Sequence, residues 1–339
     1  MKTNIQNALA AVLEKRDLSY ETAVNVMNDI MSGECTDAQI GAWLTAMRMK
    51  GETPEEIAAG ISVMRSNCVK IKCSDSAAVD IVGTGGDGIG TWNISTAAVF
   101  VAAGAGVTVA KHGNRALSSK SGSADVLSSL GINTSCSVET MEKALAEIGV
   151  SFLFAPLLHP AMKYAIGPRR EMAARTLFNL LGPMTNPAGV SRGLIGVFDK
   201  HYCKILAEAA ASLGEKHMIF VHGFDGLDEL TVTASSYVCE VKNGVLQEYE
   251  FNPEEIGLKL WPLADLLGGT PENNAAELKA VLEGKEGAYR EAVMLNAAAG
   301  IYTSGKAESL QLAIKMAGDS IDSGRALEKL ELLKSATNV

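Results

Sequence analysis

Apolar residues recur along this chain in two rhythms, and the change from one to the other falls near residue 70. Up to that point the pattern predicts four short helices. Thr36-Asp-Ala-Gln39 forms a capping box that opens a helix through Met49. Thr53-Pro-Glu-Glu56 opens another through about Asn67, with Pro54 at the first helical position, where its missing N–H costs nothing. Gly33 and Gly51 serve as stops. Ile40, Trp43, Leu44 and Met47 fall at helical spacing, a stripe that four short helices cannot bury alone. That surface is expected to meet another domain or another subunit, and on pattern alone a core within the chain serves equally well.

After residue 75 the rhythm becomes strand then helix. Strands are expected at 79–82, 107–110, 150–154, 192–197 and 217–221, separated by helical segments such as Val138–Ile148 and His201–Leu213. Such alternation predicts an α/β protein with a mainly parallel sheet covered on both faces, and ligands at the strand carboxyl ends. Tyr237–Phe251 reads as a hairpin on an Asn243-Gly244 turn, an antiparallel addition to that sheet. Residues 273–335 return to helices, no internal repeat is visible, and Asn179–Pro187 reads as a rigid loop, a candidate hinge. The expected division is a small helical domain over 1–70, joined by helices around 160–182, and a larger α/β domain over 71–339.

Composition narrows the class. The 339 residues are 47% hydrophobic and 20% charged, enough for a substantial core. A formal charge of −9 argues against a nucleic-acid footprint over the whole molecule, though it permits a local basic pocket. The six cysteines show neither a CxxC pair nor zinc spacing and read as reduced, mostly buried thiols, which points to the cytoplasm. No uninterrupted apolar run approaches the roughly 18 residues of a membrane span, and the amino terminus lacks a signal-peptide core.

The chemistry concentrates in four stretches at expected strand ends. Val79-Asp-Ile-Val-Gly-Thr-Gly-Gly-Asp-Gly-Ile-Gly90 ends an apolar run in a glycine turn that brings backbone N–H groups close to a phosphate, and the helix opening at Asn93-Ile-Ser-Thr96 adds its dipole. The string fits a dinucleotide fingerprint, but the next strand runs into the basic Lys111-His-Gly-Asn-Arg115, where a dinucleotide site wants an acid. No Walker lysine follows the glycines either. A glycine loop carrying its own acid, Asp87, opposite a basic loop suits a polyphosphate held partly through a metal. The second stretch, Lys111–Ser119 with Lys120-Ser-Gly-Ser123, combines cations with hydroxyls suited to phosphate oxygens. The third, Asp225-Gly-Leu-Asp-Glu229, offers carboxylates for a hard cation, although an Asp-Glu pair alone equally reads as a turn. The fourth, His159–Arg170, brings an imidazole and two guanidinium groups near the helices; one Arg suits a carboxylate, and a surface charge pair is the plainer reading.

Together Gly83-Thr-Gly-Gly-Asp87, Asn93-Ile-Ser-Thr96, Lys111-His-Gly-Asn-Arg115, His159-Pro-Ala161 and Asp225-Gly-Leu-Asp-Glu229 resemble the anthranilate phosphoribosyltransferase family, in order and through nearly the whole chain. The resemblance implies the nucleoside phosphorylase/phosphoribosyltransferase type of fold. It implies transfer of ribose 5-phosphate from phosphoribosyl pyrophosphate to the amine of anthranilate, in tryptophan synthesis, by a magnesium-dependent cytoplasmic homodimer joined through the helical domain. By motif, Gly83, Gly86, Asp87, Thr91, Asn93, Ile94, Ser95, Thr96, Lys111, His112, Gly113, Asn114, Arg115, Ala116, Leu117, Ser118, Ser119 and Ser123 would line the phosphoribosyl pyrophosphate site. Ser95, Asp228 and Glu229 would serve magnesium, with two ions per subunit. Gly83, Asn114 and Arg169 match positions that contact anthranilate. Gly88–Trp92 and Glu171–Arg175 depart a little from the family's commonest wording without removing a ligand.

An aryl amine is neutral and nucleophilic at pH 7, so orientation and charge stabilisation suffice and no catalytic base is assigned; His112 is the nearest candidate, in a positioning role. Direct displacement would invert the anomeric configuration. Two competing readings share the fold: a nucleic-acid-binding relative without activity, which the charge and the Asp228-Glu229 pair oppose, and a pyrimidine nucleoside phosphorylase. Neither a nucleic-acid nor a membrane partner is expected.

Overall fold

The computed structural model describes residues 3–116 and 121–338. Its first layer holds helices α1 (Asn4–Leu13), α2 (Tyr20–Ser32), α3 (Asp37–Lys50) and α4 (Pro54–Ser66). Both capping boxes close: Thr36 and Thr53 accept from the backbone three residues on at 3.3 Å, and Gln39 and Glu56 return the bond at 2.9 Å.

The rest of the chain runs β1 (Asp80–Gly83), α5 (Ile94–Gly104), β2 (Val109–Gly113), α6 (Ser123–Ser129), α7 (Val138–Glu147), β3 (Val150–Phe154), α8 (Ala155–Leu158), α9 (Lys163–Met172) and α10 (Leu177–Leu181). It continues with β4 (Arg192–Gly196), α11 (Lys200–Ser212), β5 (His217–Gly223), β6 (Ser236–Lys242), β7 (Val245–Phe251), α12 (Pro271–Leu282), α13 (Ala288–Ser304), α14 (Leu310–Asp322) and α15 (Arg325–Thr337). The expected strands form at or within a few residues of their expected bounds. The hairpin turns on Asn243 and Gly244, both at positive φ (51° and 81°) as a two-residue turn requires.

The sheet is in two pieces. One holds β1-β4-β5-β6-β7, parallel through β5 and antiparallel beyond; the other is the parallel pair β2-β3. Among the described residues a single backbone bridge, Val79 to Val109, links them. Past that bridge β1 and β2 diverge, and side chains take the backbone groups a ladder would have paired. Asp80 accepts from the N–H of His112 at 3.3 Å, and Asn186 Nδ2 donates to the Ala110 carbonyl and to Asp80, both at 2.7 Å.

The alternation along each central strand sorts side chains into two cores. Ile81, Leu194, Ile219 and Val221 pack with α5 and α13. Ile195, Phe220 and Met218 face the other way, against α11 and a layer made of α1–α4 with Ala165 of α9 and Leu177, Phe178 and Leu181 of α10. Ile40, Trp43, Leu44 and Met47 are fully buried here, so the stripe expected to need a partner is covered by the chain itself. That is one of the outcomes the pattern left open; another expectation is corrected. The stretch 179–187 is not a plain loop: it begins in α10, whose apolar side chains sink against α4, and continues as a 3-10 turn over Gly182–Met184. All six cysteines are free, as expected, but only Cys203 and Cys239 are buried. Among the described residues no helix is long and apolar enough to cross a membrane.

Gly193 in β4 has φ of 151°, and a Cβ there would stand 2.1 Å from the Asp80 carbonyl oxygen of β1. Gly193→Ala is therefore expected to cost about 1–3 kcal/mol or more by overpacking the β1–β4 ladder. Equilibrium urea unfolding checks this, and an unchanged midpoint would contradict the pairing of Gly193 with Asp80.

Candidate active site

β1 delivers the chain into the glycine turn, where Gly85, Gly86, Gly88 and Gly90 all have positive φ. Its backbone is pinned on both sides. Thr84 N–H donates to Gly196 O at 2.8 Å, Gly85 N–H to Asp228 Oδ2 at 2.6 Å, and Ile89 N–H to the loop's own Asp87 at 3.2 Å. Arg175, between α9 and α10, donates to the Gly86 carbonyl while its guanidinium lies 4.4 Å from the centre of the Phe198 ring.

Asp228 and Glu229 arrive on the irregular segment after β5, which crosses the ends of β1 and β4 so closely that neither strand has room for a side chain there. A Cβ at Gly83 would lie 2.6 Å from Asp228 Oδ2, and one at Gly196 would lie 1.6 Å from the Asp228 carbonyl oxygen. Both carboxylates are nearly buried. Burial, then repulsion from Asp87 and Glu229, pushes Asp228 well above the usual carboxylate range. Burial raises Glu229 to about 7 against the pull of Lys111. Glu229 accepts from Ser95 N–H at 3.2 Å. Among the described residues no cluster of three or more His, Cys, Asp or Glu side chains assembles. The donors are instead two adjacent carboxylates with the Ser95 hydroxyl beside them, all oxygen, mutually repelling without a cation. That set fits magnesium, which takes one or two carboxylates and completes its shell with water and phosphate.

Asp225 is not part of this group. It turns away to accept from Thr231 Oγ1 at 2.6 Å, from Thr233 Oγ1 and from Leu227 N–H at 3.1 Å, bracing the segment.

Helix α5 opens at Asn93 as expected, but that side chain does not cap the helix. Of its first-turn N–H groups, that of Ile94 donates to the Trp92 carbonyl at 2.8 Å and that of Ser95 to Glu229. Ile94 and Thr96 are buried. Lys111 lies in the floor, 1% exposed: Nζ donates to Ile81 O at 2.7 Å and contacts Ser95 Oγ at 3.4 Å. Burial lowers its pKa, opposed by Asp80 and Glu229. Asp80 is itself raised to about 6 by burial.

Beyond β2, Gly113 and the exposed Asn114 lead to Arg115, which pairs with Asp125 at 3.1 Å and lies 5.7 Å from the Phe154 ring centre. Ala116 N–H also donates to Asp125, at 3.0 Å, and Ser123 starts α6. Leu117, Ser118 and Ser119, also expected at the donor site, lie outside the described residues. Arg169, on α9, packs its guanidinium 5.2 Å from the Phe178 ring centre and has no carboxylate partner among the described residues. Burial alone lowers its pKa. Thr91 pairs with Leu267, far along the chain.

His112 and His159 meet Nε2 to Nε2 at 3.2 Å, and His112 Nδ1 stands 3.2 Å from the Gly182 carbonyl. Burial pushes them down to about 3 and about 4 respectively. With His112 Nδ1–H donating to Gly182 O, His112 Nε2 accepts from His159 Nε2–H, while a backbone contact with Thr185 works against burial to raise His159. Sequence reasoning missed Asp80, Asn186, Arg175 and Asn274. For Asp80 a signal existed, a single carboxylate inside the apolar run Val79–Val82.

A helical layer docked on a largely parallel sheet, with a glycine turn facing a buried acid pair, defines a glycosyl-transferring enzyme for phosphorylated sugars. The family models agree: the glycosyl transferase family's helical bundle domain matches residues 6–68 and its a/b domain matches 75–327. Anthranilate phosphoribosyltransferase of Anaeromyxobacter dehalogenans is 50% identical over 335 residues, 99% of each chain. The crystal structure of the Thermus thermophilus enzyme of that name superposes with a TM-score of 0.93 at 42% identity, covering 98% of this chain and 99% of the other. The Saccharomyces cerevisiae enzyme in complex with PRPP and Mg gives a TM-score of 0.89 at 27% identity, covering 98% of each. Its complex with 4-fluoroanthranilate gives 0.86 at 27% identity, covering 97% of each. The chain belongs to the anthranilate phosphoribosyltransferase family.

The histidine pair gives a pH signature. Both folded values lie below the unfolded one of about 6.5, so their stabilisation is complete above that pH and is lost as pH falls toward 4 and then 3. The limiting loss is about 1.4 kcal/mol per pH unit for each ring. Urea unfolding across this range should show a shallower acid slope for His112→Asn with His159→Asn than for the native protein. Equal slopes would mean that the rings are not held neutral.

Proposed function

We infer that this chain transfers the phosphoribosyl group from phosphoribosyl pyrophosphate to the amine of anthranilate, releasing pyrophosphate, in tryptophan biosynthesis. The observation that carries the reading is the Gly85–Asp228 hydrogen bond, which locks the phosphate-type glycine turn to the buried acid pair. In this reading the donor lies along Gly83, Gly86, Asp87, Thr91, the first turn of α5 and the loop from Lys111 to Ser123, with Ser95, Asp228 and Glu229 holding magnesium, two ions per subunit. Bound magnesium would neutralise negative charge as pyrophosphate departs. Backbone donors of the glycine turn and of α5 steady the phosphates, and the buried Lys111 fixes Ser95 and Glu229 in register.

The acceptor lies on the other side, between Gly83, Asn114 and Arg169, where the unpaired guanidinium receives the anthranilate carboxylate. The amine attacks as the neutral free base, held in line with the anomeric carbon, which inverts. His112 stays a positioning group, because one of its nitrogens is committed to Gly182 and the other to His159. The same reading takes residues 1–70 with the helices around 160–182 as one domain and 71–339 as the other. It also takes a cytoplasmic homodimer formed through the helical layer. There Leu13, Met49 and Ile166 are among the exposed apolar side chains, whereas the α3 stripe is buried.

The direct test is product formation from both substrates, with and without magnesium; no turnover with magnesium present overturns the reading. Measured on protein that circular dichroism shows to be folded, Asp228→Asn with Glu229→Gln should depress turnover and raise the magnesium requirement, and an unchanged magnesium dependence would remove the pair from the metal site.

Arg169→Ala should raise the anthranilate KM about tenfold or more, as a lost charge-assisted bond does, and spare that for phosphoribosyl pyrophosphate. Aniline, which lacks the carboxylate, should barely respond. A variant that still separates anthranilate from aniline as the native enzyme does would show that Arg169 does not read the carboxylate.

A further inference from the structure

Residues 266–274, which no motif singled out, form the back wall of the glycine turn's exit. Trp92 N–H donates to the Leu266 carbonyl at 2.9 Å, Gly268 N–H donates to the Gly90 carbonyl at 2.9 Å, and Thr91 bridges Leu267. The approach is close enough that a Cβ at Gly268 would stand 2.7 Å from the Thr91 carbonyl oxygen. The wall ends in Asn274 on α12, 1% exposed. Its Oδ1 accepts from Gly269 N–H at 2.7 Å, and its Nδ2 donates to Asn93 Oδ1 at 2.7 Å.

Asn93 is thereby held in one orientation. With Oδ1 taking the Asn274 donor, Asn93 Nδ2 faces the Ser121 carbonyl at 3.3 Å, and Ser121 Oγ donates back to Asn93 Oδ1 at 3.2 Å. Tyr289 of α13 holds the Asn93 carbonyl through its hydroxyl at 3.3 Å. The Asn93 amide thus ties the first turn of α5 to the far end of the loop after β2, the two walls of the donor pocket. Which way that amide points is decided from behind, because an amide is symmetric in shape and only its partners distinguish oxygen from nitrogen.

We propose that Asn274 is a positioning residue for the phosphoribosyl pyrophosphate site, acting through the Asn93 side chain. This rests on the proposed place of Asn93 in the donor site. Asn274→Asp is nearly isosteric and keeps an acceptor for Gly269, but it turns an oxygen on Asn93 Oδ1. Asn93 then has to flip and lose its bond to the Ser121 carbonyl. Asn274→Leu removes both bonds.

The experiment measures KM for each substrate, kcat and thermal unfolding for Asn274→Asp, Asn274→Leu and Asn93→Ala. Thr337→Val is the control, since it removes a buried hydroxyl at the end of α15 that accepts from Asn133 N–H and donates to Leu333 and Lys334, none of them a residue of the donor reading. The expected result is a rise of about threefold to tenfold in KM for phosphoribosyl pyrophosphate in Asn93→Ala and both Asn274 variants, the loss of one or two neutral hydrogen bonds, with the anthranilate KM unchanged. Thr337→Val should lower the unfolding temperature and move neither KM. If Asn93→Ala leaves the donor KM unchanged, Asn93 is not a donor-site residue and the reading beneath the proposal fails. If Asn93→Ala raises it and Asn274→Asp does not, the proposal alone fails. Equal losses for both substrates, or failure of both Asn274 variants to fold, would mark Asn274 as purely structural and overturn it.

Discussion

A single ammonium group sets the geometry of this molecule's centre. Lys111 is buried in β2 with Asp80 on one side and Glu229 on the other, and its hydrogen bonds go to a strand carbonyl and to Ser95. A buried charge is tolerated only where opposite charge and hydrogen-bond partners surround it. β2 must therefore lie beside β1 at one register, α5 must start where Ser95 reaches the ammonium, and the segment after β5 must bring Glu229 over the strand ends. The divergence of β1 from β2 belongs to the same arrangement, since it makes room for Asp80 and Asn186 to replace the missing ladder bonds.

The two cores divide the labour. The one under α5 and α13 is apolar and backs β1 and the start of α5. The other joins the helical layer to the sheet through apolar packing and through polar joints. Arg65 pairs with Glu215 at 2.7 Å, and Arg48 and Glu52 meet on the Tyr202 hydroxyl at 2.8 and 2.9 Å. Arg169 and Arg175 stand on the segment that packs against this second core, through the Phe178 and Phe198 rings, and Arg175 reaches from there to the Gly86 carbonyl of the glycine turn.

Much of this was legible in the sequence because it rests on local rules. Capping boxes, the Asn243-Gly244 turn and the strand rhythm each depend on a few neighbouring residues, and each formed where expected. The glycine turn and the Asp228-Glu229 pair were visible for the same reason. Features set by distant residues were not visible. Whether the α3 stripe would be covered within the chain was open because periodicity says nothing about α1 and α9 packing over it. The end of α10, from Asn179, looked like part of a loop because Gly182, Pro183 and Pro187 dominate local propensity, while burial of Leu180 and Leu181 decides the outcome. Asn274 carried no motif at all; its meaning lies wholly in the residue it touches.

The charge balance around Lys111 also has a direction in time. A chain made from its amino end releases β1 and β2 early, whereas Glu229 follows only after the helices from α6 to α11 and strand β5. Until then the ammonium has Asp80 but lacks its second carboxylate, and the strands that carry it have no complete reason to close. The bonds that pin the glycine turn and the first turn of α5 therefore span more than a hundred residues, and a chain truncated before that segment has no partner for Gly85 N–H or Ser95 N–H.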